Sequence, residues 1–339
     1  MTTQSFPAKT PLGRRVRVLG ALNTLLVRIG AIPSTEKAGH LPMARRLALR
    51  SPGWALLPPT GNPRVDDRVV AGRHGDVPVR VYRPEGARPG STEADPPHHR
   101  PATSGTATLT TTALLYVHGG GWTVGGLDSL DWFCRELATR AGCTVVSVEY
   151  RLSPDFRFPV PLDDVTDALG WLALHLTEFG AARIAVAGDS AGGNLAAAVC
   201  RRARRDGPPV ETQILIYPGL DLTLNSPSMF DAPGGLSRAD MQISVNNFIG
   251  DQDANNPEIS PLLAPDKAGL PAALVITADH DLLRDDGRLY AEQLIAAGVP
   301  ARVVEFAGVD HGFLSLPALT KKQSLAALDL VVDQLKGTA

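Results

Sequence analysis

The sequence is poor in cysteine and nearly neutral in charge, and each shortage excludes a class of protein. Cys134, Cys143 and Cys200 are the three cysteines among 339 residues, and no two have C-x-x-C spacing. This odd set indicates neither a disulfide framework nor a zinc site, so we expect reduced thiols and a cytoplasmic location. A formal net charge of −2 provides no global attraction to nucleic acid or to anionic membranes. We therefore expect no nucleic-acid partner.

Long apolar runs and clusters of metal ligands are also missing. The apolar run at residues 18–27 is too short to span a bilayer, Arg28 interrupts it, and no A-x-A cleavage pattern follows closely. We interpret it as an amphipathic lid helix whose contact with a membrane is at most peripheral. His98 and His99 lie in a Pro-rich stretch without further ligands nearby, so we expect no bound metal.

What the chain does contain is a G-x-S-x-G pentapeptide, Gly188-Asp189-Ser190-Ala191-Gly192. An apolar run at 183–187 precedes it and an apolar run at 195–199 follows it, so the predicted order is strand, sharp turn and helix. Such a turn exposes the Ser190 hydroxyl, and the helix N-terminus behind it favours developing negative charge. Ser190 is the candidate nucleophile. A glycine-rich turn with an incidental serine is the alternative.

A glycine-rich loop upstream predicts an oxyanion site. The strand predicted at 114–117 runs into His118-Gly119-Gly120-Gly121-Trp122, where three consecutive glycines let backbone N–H groups approach a substrate. Acyl transfer passes through a tetrahedral oxyanion, which such donors stabilise. We assign the donors to the amides of Gly120 and Gly121, together with that of Ala191 directly after the nucleophile. A nucleotide-phosphate loop is the alternative, but the glycine spacing fits a dinucleotide-binding fingerprint poorly.

A base and an orienting acid are predicted at the ends of two later strands. The strand predicted at 301–306 leads to His311, whose imidazole could accept the Ser190 proton and return it to the leaving group. A structural histidine is the alternative. The strand predicted at 272–278 ends in four carboxylates, any of which could orient a histidine: Asp279, Asp281, Asp285 and Asp286. The chain order Ser, Asp, His is that expected for an α/β hydrolase.

These residues resemble the hormone-sensitive-lipase-like bacterial esterases, family IV, of the α/β hydrolase fold. The resemblance runs from about residue 66 to the C-terminus and rests on four motifs: HGGGW at 118–122, GDSAGG at 188–193, D-x-L-R-D at 281–285 and HGF at 311–313. In that family the acid is the first aspartate of D-x-L-R-D, so the resemblance implies Asp281. The family's Y-R-L-A-P-E stands here as Tyr150-Arg151-Leu152-Ser153-Pro154-Asp155. That departure puts in doubt the fine positioning of the loop beside the oxyanion site.

The pattern of elements predicts an α/β hydrolase fold: a mostly parallel central sheet flanked by helices, with a helical lid. Two short strands at 66–71 and 77–82 form a predicted hairpin, and helical patterns occupy 162–179 and 288–297. The expected division is an N-terminal part of the lid at 1–60, a catalytic domain at 61–220 and 272–339, a second lid segment at 221–271, and a mobile loop at 84–111.

Two sets of side chains outside the motifs carry further expectations. Apolar residues of the second lid segment are candidate pocket walls, although packing within the lid explains them equally well: Met229, Phe230, Ile243, Val245, Phe248 and Ile249. Basic residues at the end of the helix after the pentapeptide are expected to face solvent and complement the helix C-terminus: Arg201, Arg202, Arg204 and Arg205.

The predicted activity is that of a serine carboxylesterase acting on a small-molecule ester through an acyl-enzyme, without metal or organic cofactor. The resemblance implies short to medium acyl chains. The same machinery can cleave an amide or an acetyl group, so an amidase or deacetylase acting on a small natural product is the enzymatic alternative. A non-catalytic small-molecule receptor is the alternative from another class, but the full set Ser190, Asp281 and His311 disfavours it. The sequence leaves a homodimer open.

Overall fold

The strands and helices are described from a computed structural model, which covers residues 36–37, 57–85, 111–231 and 235–337. The strands are β1 (Arg64–Gly72), β2 (Gly75–Arg83), β3 (Thr111–Val117), β4 (Val145–Val148), β5 (Ala181–Asp189), β6 (Thr212–Ile216), β7 (Ala272–Ala278) and β8 (Ala301–Phe306). The longer helices are α1 (Asp131–Ala141), α2 (Val160–Leu174), α3 (Ala191–Asp206), α4 (Arg238–Ile249), α5 (Arg284–Ala296) and α6 (Lys321–Lys336).

The strands form one sheet in the order β1-β2-β4-β3-β5-β6-β7-β8. β1 and β2 form the predicted antiparallel hairpin, and β2 pairs with β4 in antiparallel orientation. The remaining neighbours are parallel. The predicted α/β hydrolase fold, with its mostly parallel sheet, is confirmed.

The central strands are largely apolar because helices cover both faces of the sheet. In β3, Leu115 and Val117 pack into the core on one face, where α2, α3 and α5 lie. Leu114 and Tyr116 of the same strand pack into the core on the other face, against α1 and α6. This double covering explains why the strands appear in the sequence as continuous apolar runs rather than alternating patterns.

Parallel strands end at a common edge, and this edge collects the motifs. The loops that follow β3, β5, β7 and β8 start there, and they carry residues 118–122, Ser190, Asp281 and His311. Open α/β sheets bind ligands at the carboxyl ends of their strands. Topology therefore assembles at one place the residues that the sequence spreads over almost 200 positions.

Two helices differ in length from their predicted patterns. α2 ends at Leu174 rather than at 179, because the chain turns back and the Ala181 amide donates to the Leu176 carbonyl at 2.9 Å before β5 begins. α5 begins at Arg284, four residues before its predicted start. Asp285 and Asp286 occupy its first turn, where carboxylates complement the helix dipole.

The prediction that the arginines at the end of α3 face solvent is wrong for Arg202. Its side chain is 14% exposed and pairs with Asp163 of α2 at 2.6 Å and with Glu258 at 2.8 Å. Arg205, with 62% of its side chain exposed, behaves as predicted. Because α3 packs beside α2, its last turns present alternate side chains to the neighbouring helix and to water.

The second lid segment, at 221–271, contains α4 and two short 3-10 helices, Pro227–Phe230 and Pro261–Leu263. Most of its six candidate wall residues are buried, but Phe230 is 67% exposed. Most of the predicted N-terminal lid segment, 1–60, and of the predicted mobile loop, 84–111, lies outside the described residues. The division into domain and lid therefore stays a prediction.

Cys134, Cys143 and Cys200 are buried, and each is a free thiol. Among the helices described, none combines the length and the apolar character that crossing a membrane requires. The apolar run at 18–27 is outside this description.

Candidate active site

Ser190 occupies the sharp turn between β5 and α3. Its φ of 54° lies in the left-handed region, which non-glycine residues rarely adopt, and its amide donates to the Ile216 carbonyl at 2.8 Å. Close packing behind the turn explains the small neighbours, because a Cβ at Gly192 would collide with the carbonyl oxygen of Val117. The predicted order of strand, sharp turn and helix is thus present around Ser190.

A continuous chain of hydrogen bonds links the three predicted catalytic side chains. Ser190 Oγ lies 2.8 Å from Nε2 of His311, and Nδ1 of the same ring lies 2.8 Å from Oδ2 of Asp281. The Asp281 side chain is fully buried, and its other oxygen accepts the Leu283 amide at 2.8 Å. Fixed on both oxygens, this carboxylate can hold the imidazole in one orientation.

The neighbouring Asp279, one of the four predicted candidates for the acid, accepts hydrogen bonds from backbone amides of the histidine loop. Its carboxylate accepts the amide N–H of Gly308 at 2.9 Å and that of Val309 at 3.4 Å. It thus shapes the loop that carries His311.

The two remaining candidates are also engaged elsewhere. Asp285 pairs with Arg284 at 2.9 Å and with Arg288 at 3.2 Å. Asp286 is buried, and one of its oxygens accepts the Leu220 amide at 2.7 Å. Of the four aspartates, Asp281 is the one whose carboxylate touches His311, so the geometry agrees with the choice that the family resemblance implied.

The electrostatic surroundings of His311 favour its protonated form. Burial by itself lowers the pKa of the imidazole, whereas the charge and hydrogen bond of Asp281 raise it, as do the charges of Asp310 and Asp189. Together the raising effects prevail, so the net pKa lies above the ordinary value of 6.5. The ring of Tyr217 packs edge-on against the imidazole, with centroids 5.0 Å apart. This site can stabilise the imidazolium that forms when a serine gives up its proton.

The glycine loop after β3 folds into a tight turn beside the serine. The Gly120 carbonyl accepts the amides of Thr123 at 3.1 Å and Val124 at 3.0 Å. Gly120 has φ 118°, and a Cβ there would collide with the backbone of Val124, so this turn requires glycine. Ala191 is the first residue of α3, where helical amides have no intrahelical partner.

His118, the first residue of the glycine loop, is not available as a base. It is buried, its ring stacks on Tyr150 with centroids 4.3 Å apart, and Nδ1 lies 2.7 Å from the Gly119 carbonyl. Burial lowers its pKa to about 4, so the ring is neutral at physiological pH. It supports the loop structurally.

Sequence reasoning missed Asp189, the residue before the nucleophile. Its buried Oδ1 accepts the Tyr116 hydroxyl at 2.9 Å and the Gly119 amide at 2.9 Å. Burial raises the pKa of this carboxyl to about 6. Its signal in the sequence was an acidic residue at the end of an apolar strand, a place where a carboxylate needs hydrogen-bond donors.

Helix α4 of the second lid segment lies against the glycine loop. Trp122 stacks on Phe248 with ring centroids 4.6 Å apart and 7° between the planes, and Phe158 meets Phe248 edge-on. A Cβ at Gly121 would lie 2.8 Å from the Ser244 hydroxyl. The candidate wall residue Phe248 therefore packs on the loop that carries the predicted oxyanion donors.

The segment that departs from the family motif keeps its contacts with the glycine loop. The Tyr150 hydroxyl donates to the His118 carbonyl at 2.9 Å, and the Ser153 amide donates to the Trp122 carbonyl at 2.8 Å. The substituted Ser153 takes part through its backbone, which a change of side chain does not remove. Its hydroxyl donates to the Phe156 carbonyl at 3.0 Å.

Within residues 36–37, 57–85, 111–231 and 235–337, no group of three or more His, Cys, Asp or Glu side chains is arranged to hold a metal ion.

Comparison with known proteins agrees with the geometry. A family described as alpha/beta hydrolase fold matches residues 114–315. The carboxylesterase NlhH of Mycobacterium tuberculosis is 38% identical over 306 residues, covering 87% of this chain and 86% of that protein. The ethyl acetate hydrolase of Pseudomonas putida is 35% identical over 280 residues, covering 80% of this chain and 82% of that protein.

A solved esterase structure also resembles this chain in its three-dimensional fold. The hyperthermophilic esterase from the archaeon Pyrobaculum calidifontis superposes with a TM-score of 0.76 at 33% sequence identity. The alignment covers 97% of this chain and 99% of that one.

Proposed function

Because this chain belongs to the hormone-sensitive-lipase-like esterase family of the α/β hydrolase fold, we propose that it hydrolyses short to medium acyl esters through an acyl-enzyme on Ser190. Its class is that of the carboxylic ester hydrolases, as in its relatives. The observation that carries the proposal is the unbroken chain Ser190, His311, Asp281, with two links of 2.8 Å each.

The first chemical step forms an ester on the enzyme. His311 Nε2 accepts the Ser190 proton as Oγ attacks the substrate carbonyl carbon. The resulting negative oxygen is stabilised by the amides of Gly120, Gly121 and Ala191, each contributing a few kcal/mol, roughly 3 in comparable sites. The imidazolium then donates its proton to the departing alcohol, and the acyl group stays on Ser190.

The second step reverses these roles. His311 accepts a proton from water, the hydroxyl attacks the acyl-enzyme, and the same amides stabilise the second tetrahedral oxyanion. When this intermediate breaks down, the proton returns to Ser190 and the carboxylic acid leaves. Asp281 stays ionised throughout and holds the imidazole in the tautomer that presents Nε2 to the serine.

The preference for short to medium acyl chains has two supports. One relative is named for ethyl acetate, an ester with a two-carbon acyl group. The second is the packing of α4 on the glycine loop through Phe248 and Trp122, which brings the second lid segment next to the predicted oxyanion site. In this proposal, α4 belongs to the lid and bounds the substrate pocket.

The partner of the site is a small-molecule ester, and hydrolysis is proposed to need neither metal nor organic cofactor. We propose a cytoplasmic location and a contact with membranes that is at most peripheral. The proposal also allows a homodimer.

The test is a series of p-nitrophenyl esters from acetate to palmitate near neutral pH, with Ser190→Ala as the paired control. We expect turnover to peak among the shorter chains and to fall by about 10³-fold or more in the variant. Circular dichroism and thermal unfolding establish that the variant folds like the parent.

Two other results would contradict the proposal. Faster cleavage of p-nitroacetanilide than of any ester would indicate an amidase. Stable binding of esters by a folded protein without any turnover would indicate a receptor.

A further inference from the structure

A second carboxylate, Asp310, joins the histidine loop to the segment that leads into α4. One oxygen accepts the amide N–H of His311 at 2.7 Å. The other accepts the amide of Gly235, which lies 75 residues away in the chain. Each oxygen thus receives one backbone donor, and the two donors belong to different parts of the active site.

The contact with Gly235 depends on the absence of a side chain. A Cβ at this position would lie 2.8 Å from the Asp310 carboxylate oxygen, closer than such atoms approach in proteins. Two residues later, Ser237 caps α4: its hydroxyl accepts the Asp240 amide, and the Asp240 carboxylate receives the Ser237 amide. Anchoring Gly235 therefore fixes the point at which α4 begins.

From this anchored start, α4 extends to the glycine loop, which holds the predicted oxyanion donors. Its Ser244 faces Gly121, and its Phe248 stacks on Trp122, directly after the predicted oxyanion glycines. Asp310 is thus connected to the base by one hydrogen bond and to the oxyanion loop through one helix.

The charge of Asp310 also acts on the imidazole. The groups that face His311 are Asp281 after β7, Asp310 on its own loop, Asp189 at the end of β5, and the ring of Tyr217 after β6. The three carboxylates all raise the pKa of His311. Around Asp310 itself, burial raises the pKa, whereas the Gly235 and His311 amides and the His311 charge lower it; Asp281 raises it further.

We propose that Asp310 is a positioning residue for His311, one that holds the imidazole loop and the start of α4 together and supplies a second negative charge to the ring. The inference rests on the proposed function, in which His311 is the base. It assigns to Asp310 two effects that can be separated: the charge acts on the proton of His311, and the bond to Gly235 acts on the pocket wall.

Asp310→Asn tests the charge. Asparagine keeps the shape and removes the negative charge, but its single carbonyl oxygen can accept only one of the two backbone amides, so one hydrogen bond is lost as well. Gly235→Ala shows what loss of the Gly235 bond alone does. In a plot of kcat/KM against pH for p-nitrophenyl butyrate, activity rises as His311 loses its proton, and this rise is the acidic limb. We expect the acidic limb to move to lower pH by about 0.5 to 1 unit, because His311 without the neighbouring charge loses its proton more readily. Asp333→Asn removes an exposed carboxylate of α6 and controls for the change in net charge; its limb stays where the parent's is.

Gly235→Ala tests the bond. The methyl group pushes the segment away from Asp310, while the charge beside His311 is kept. We expect KM to rise severalfold and the chain-length preference to change, with the acidic limb unmoved. A limb that moves as far in Gly235→Ala as in Asp310→Asn would contradict the separation of the two effects.

A measurement without substrate separates this inference from the proposed function. In protein labelled with ¹⁵N-histidine, the His311 signal among the eight histidines is assigned by its loss in His311→Gln, and its titration is compared in parent and Asp310→Asn. A lower pKa of His311 in Asp310→Asn supports the role of Asp310 even if no ester is hydrolysed. Absence of ester hydrolysis would contradict only the proposed esterase activity. If the parent shows Ser190-dependent turnover but both the acidic limb and the pKa of His311 change by less than about 0.2 unit in Asp310→Asn, Asp310 has no such role.

Discussion

Gly121 of the glycine loop lies directly against Ser244 of α4, so close that a Cβ on the glycine would come within 2.8 Å of the serine hydroxyl. The two residues are 123 positions apart, and neither the pentapeptide nor the glycine motif points to the contact. It means that a predicted oxyanion donor is shaped by the lid segment as well as by its own loop.

Gly121→Ala is expected to lower kcat at least tenfold, because φ 57° strains any side chain and the new methyl group meets Ser244. Adding Ser244→Gly removes the obstacle, and we expect the double variant to recover part of the loss. Gly120→Ala is the contrasting case, since its clash is with the backbone of Val124 and no side-chain change can relieve it. Steady-state kinetics on one p-nitrophenyl ester measure all four proteins, and failure of the double variant to recover would contradict the contact.

Asp189→Ala is expected to destabilise the protein by about 2 kcal/mol or more, because it leaves the Tyr116 hydroxyl and the Gly119 amide buried without their acceptor. It should also lower kcat, since Gly119 belongs to the glycine loop that carries the predicted oxyanion donors. Asp189→Asn is the matched control. Both bonds end on the same oxygen, which asparagine retains, so this variant keeps most of the stability and activity. Urea unfolding and ester kinetics distinguish the two; equal losses would show that the charge, rather than the bonds, is needed.

Asp281→Asn is expected to reduce kcat by about 10⁴-fold, because the amide favours the wrong imidazole tautomer and cannot stabilise the imidazolium. Asp285→Asn is the control from the same motif. Its carboxylate pairs with Arg284 and Arg288 instead of His311, so kcat should stay within a few-fold of the parent. A larger loss in Asp285→Asn than in Asp281→Asn would overturn the assignment of the acid.

Asp286→Asn is expected to alter how stability depends on pH. Burial raises the pKa of Asp286 to about 7 in the folded state, from the ordinary value of 3.8 for an aspartate. Between these values the folded protein holds a proton that the unfolded chain has released, so this group makes the folded state less stable as pH rises. One Asp286 oxygen accepts both the Leu220 and Asp221 amides, and asparagine can keep these bonds without the charge.

The free energy of unfolding of Asp286→Asn, relative to the parent, should therefore increase from pH 4 to about pH 7 by up to about 1.4 kcal/mol per pH unit, and then level off. Urea titrations at each pH measure it. Glu292→Gln, which removes an exposed carboxylate from α5, serves as the control. Its free energy of unfolding relative to the parent is expected to stay the same at each pH. A flat difference for Asp286→Asn as well would mean that this carboxyl titrates normally.

The candidate nucleophile and the candidate base could be proposed from local patterns, because neighbouring residues build much of their environments. Ser190 lies between a strand and a helix that its own flanking residues form, and His311 follows the last strand after a short loop. The acid was different. Four carboxylates follow β7 within eight residues, and spacing alone could not rank them because all four lie near the same rim; family resemblance chose Asp281, and the fold shows which one faces the ring.

The rest depended on contacts between distant segments. Arg202 was expected in water and lies between Asp163 and Glu258, because the packing of α2 on α3 is not visible in the helical pattern of either. Asp189 lies within the GDSAGG motif and Asp310 directly precedes HGF, but neither motif indicates the partner that each carboxylate takes from another strand or loop.

The sequence by itself determined the order of strands and helices, the strained turn at Ser190, the glycine loop and the chemistry that these residue types allow. Those properties follow from backbone conformations and apolar patterns that a few consecutive residues impose. Only the tertiary structure decided which carboxylate meets His311, how Asp310 ties the histidine loop to α4, and which lid residue touches Gly121. Such choices depend on side-chain distances between segments that meet only when parallel strands bring their carboxyl ends to one edge of the sheet.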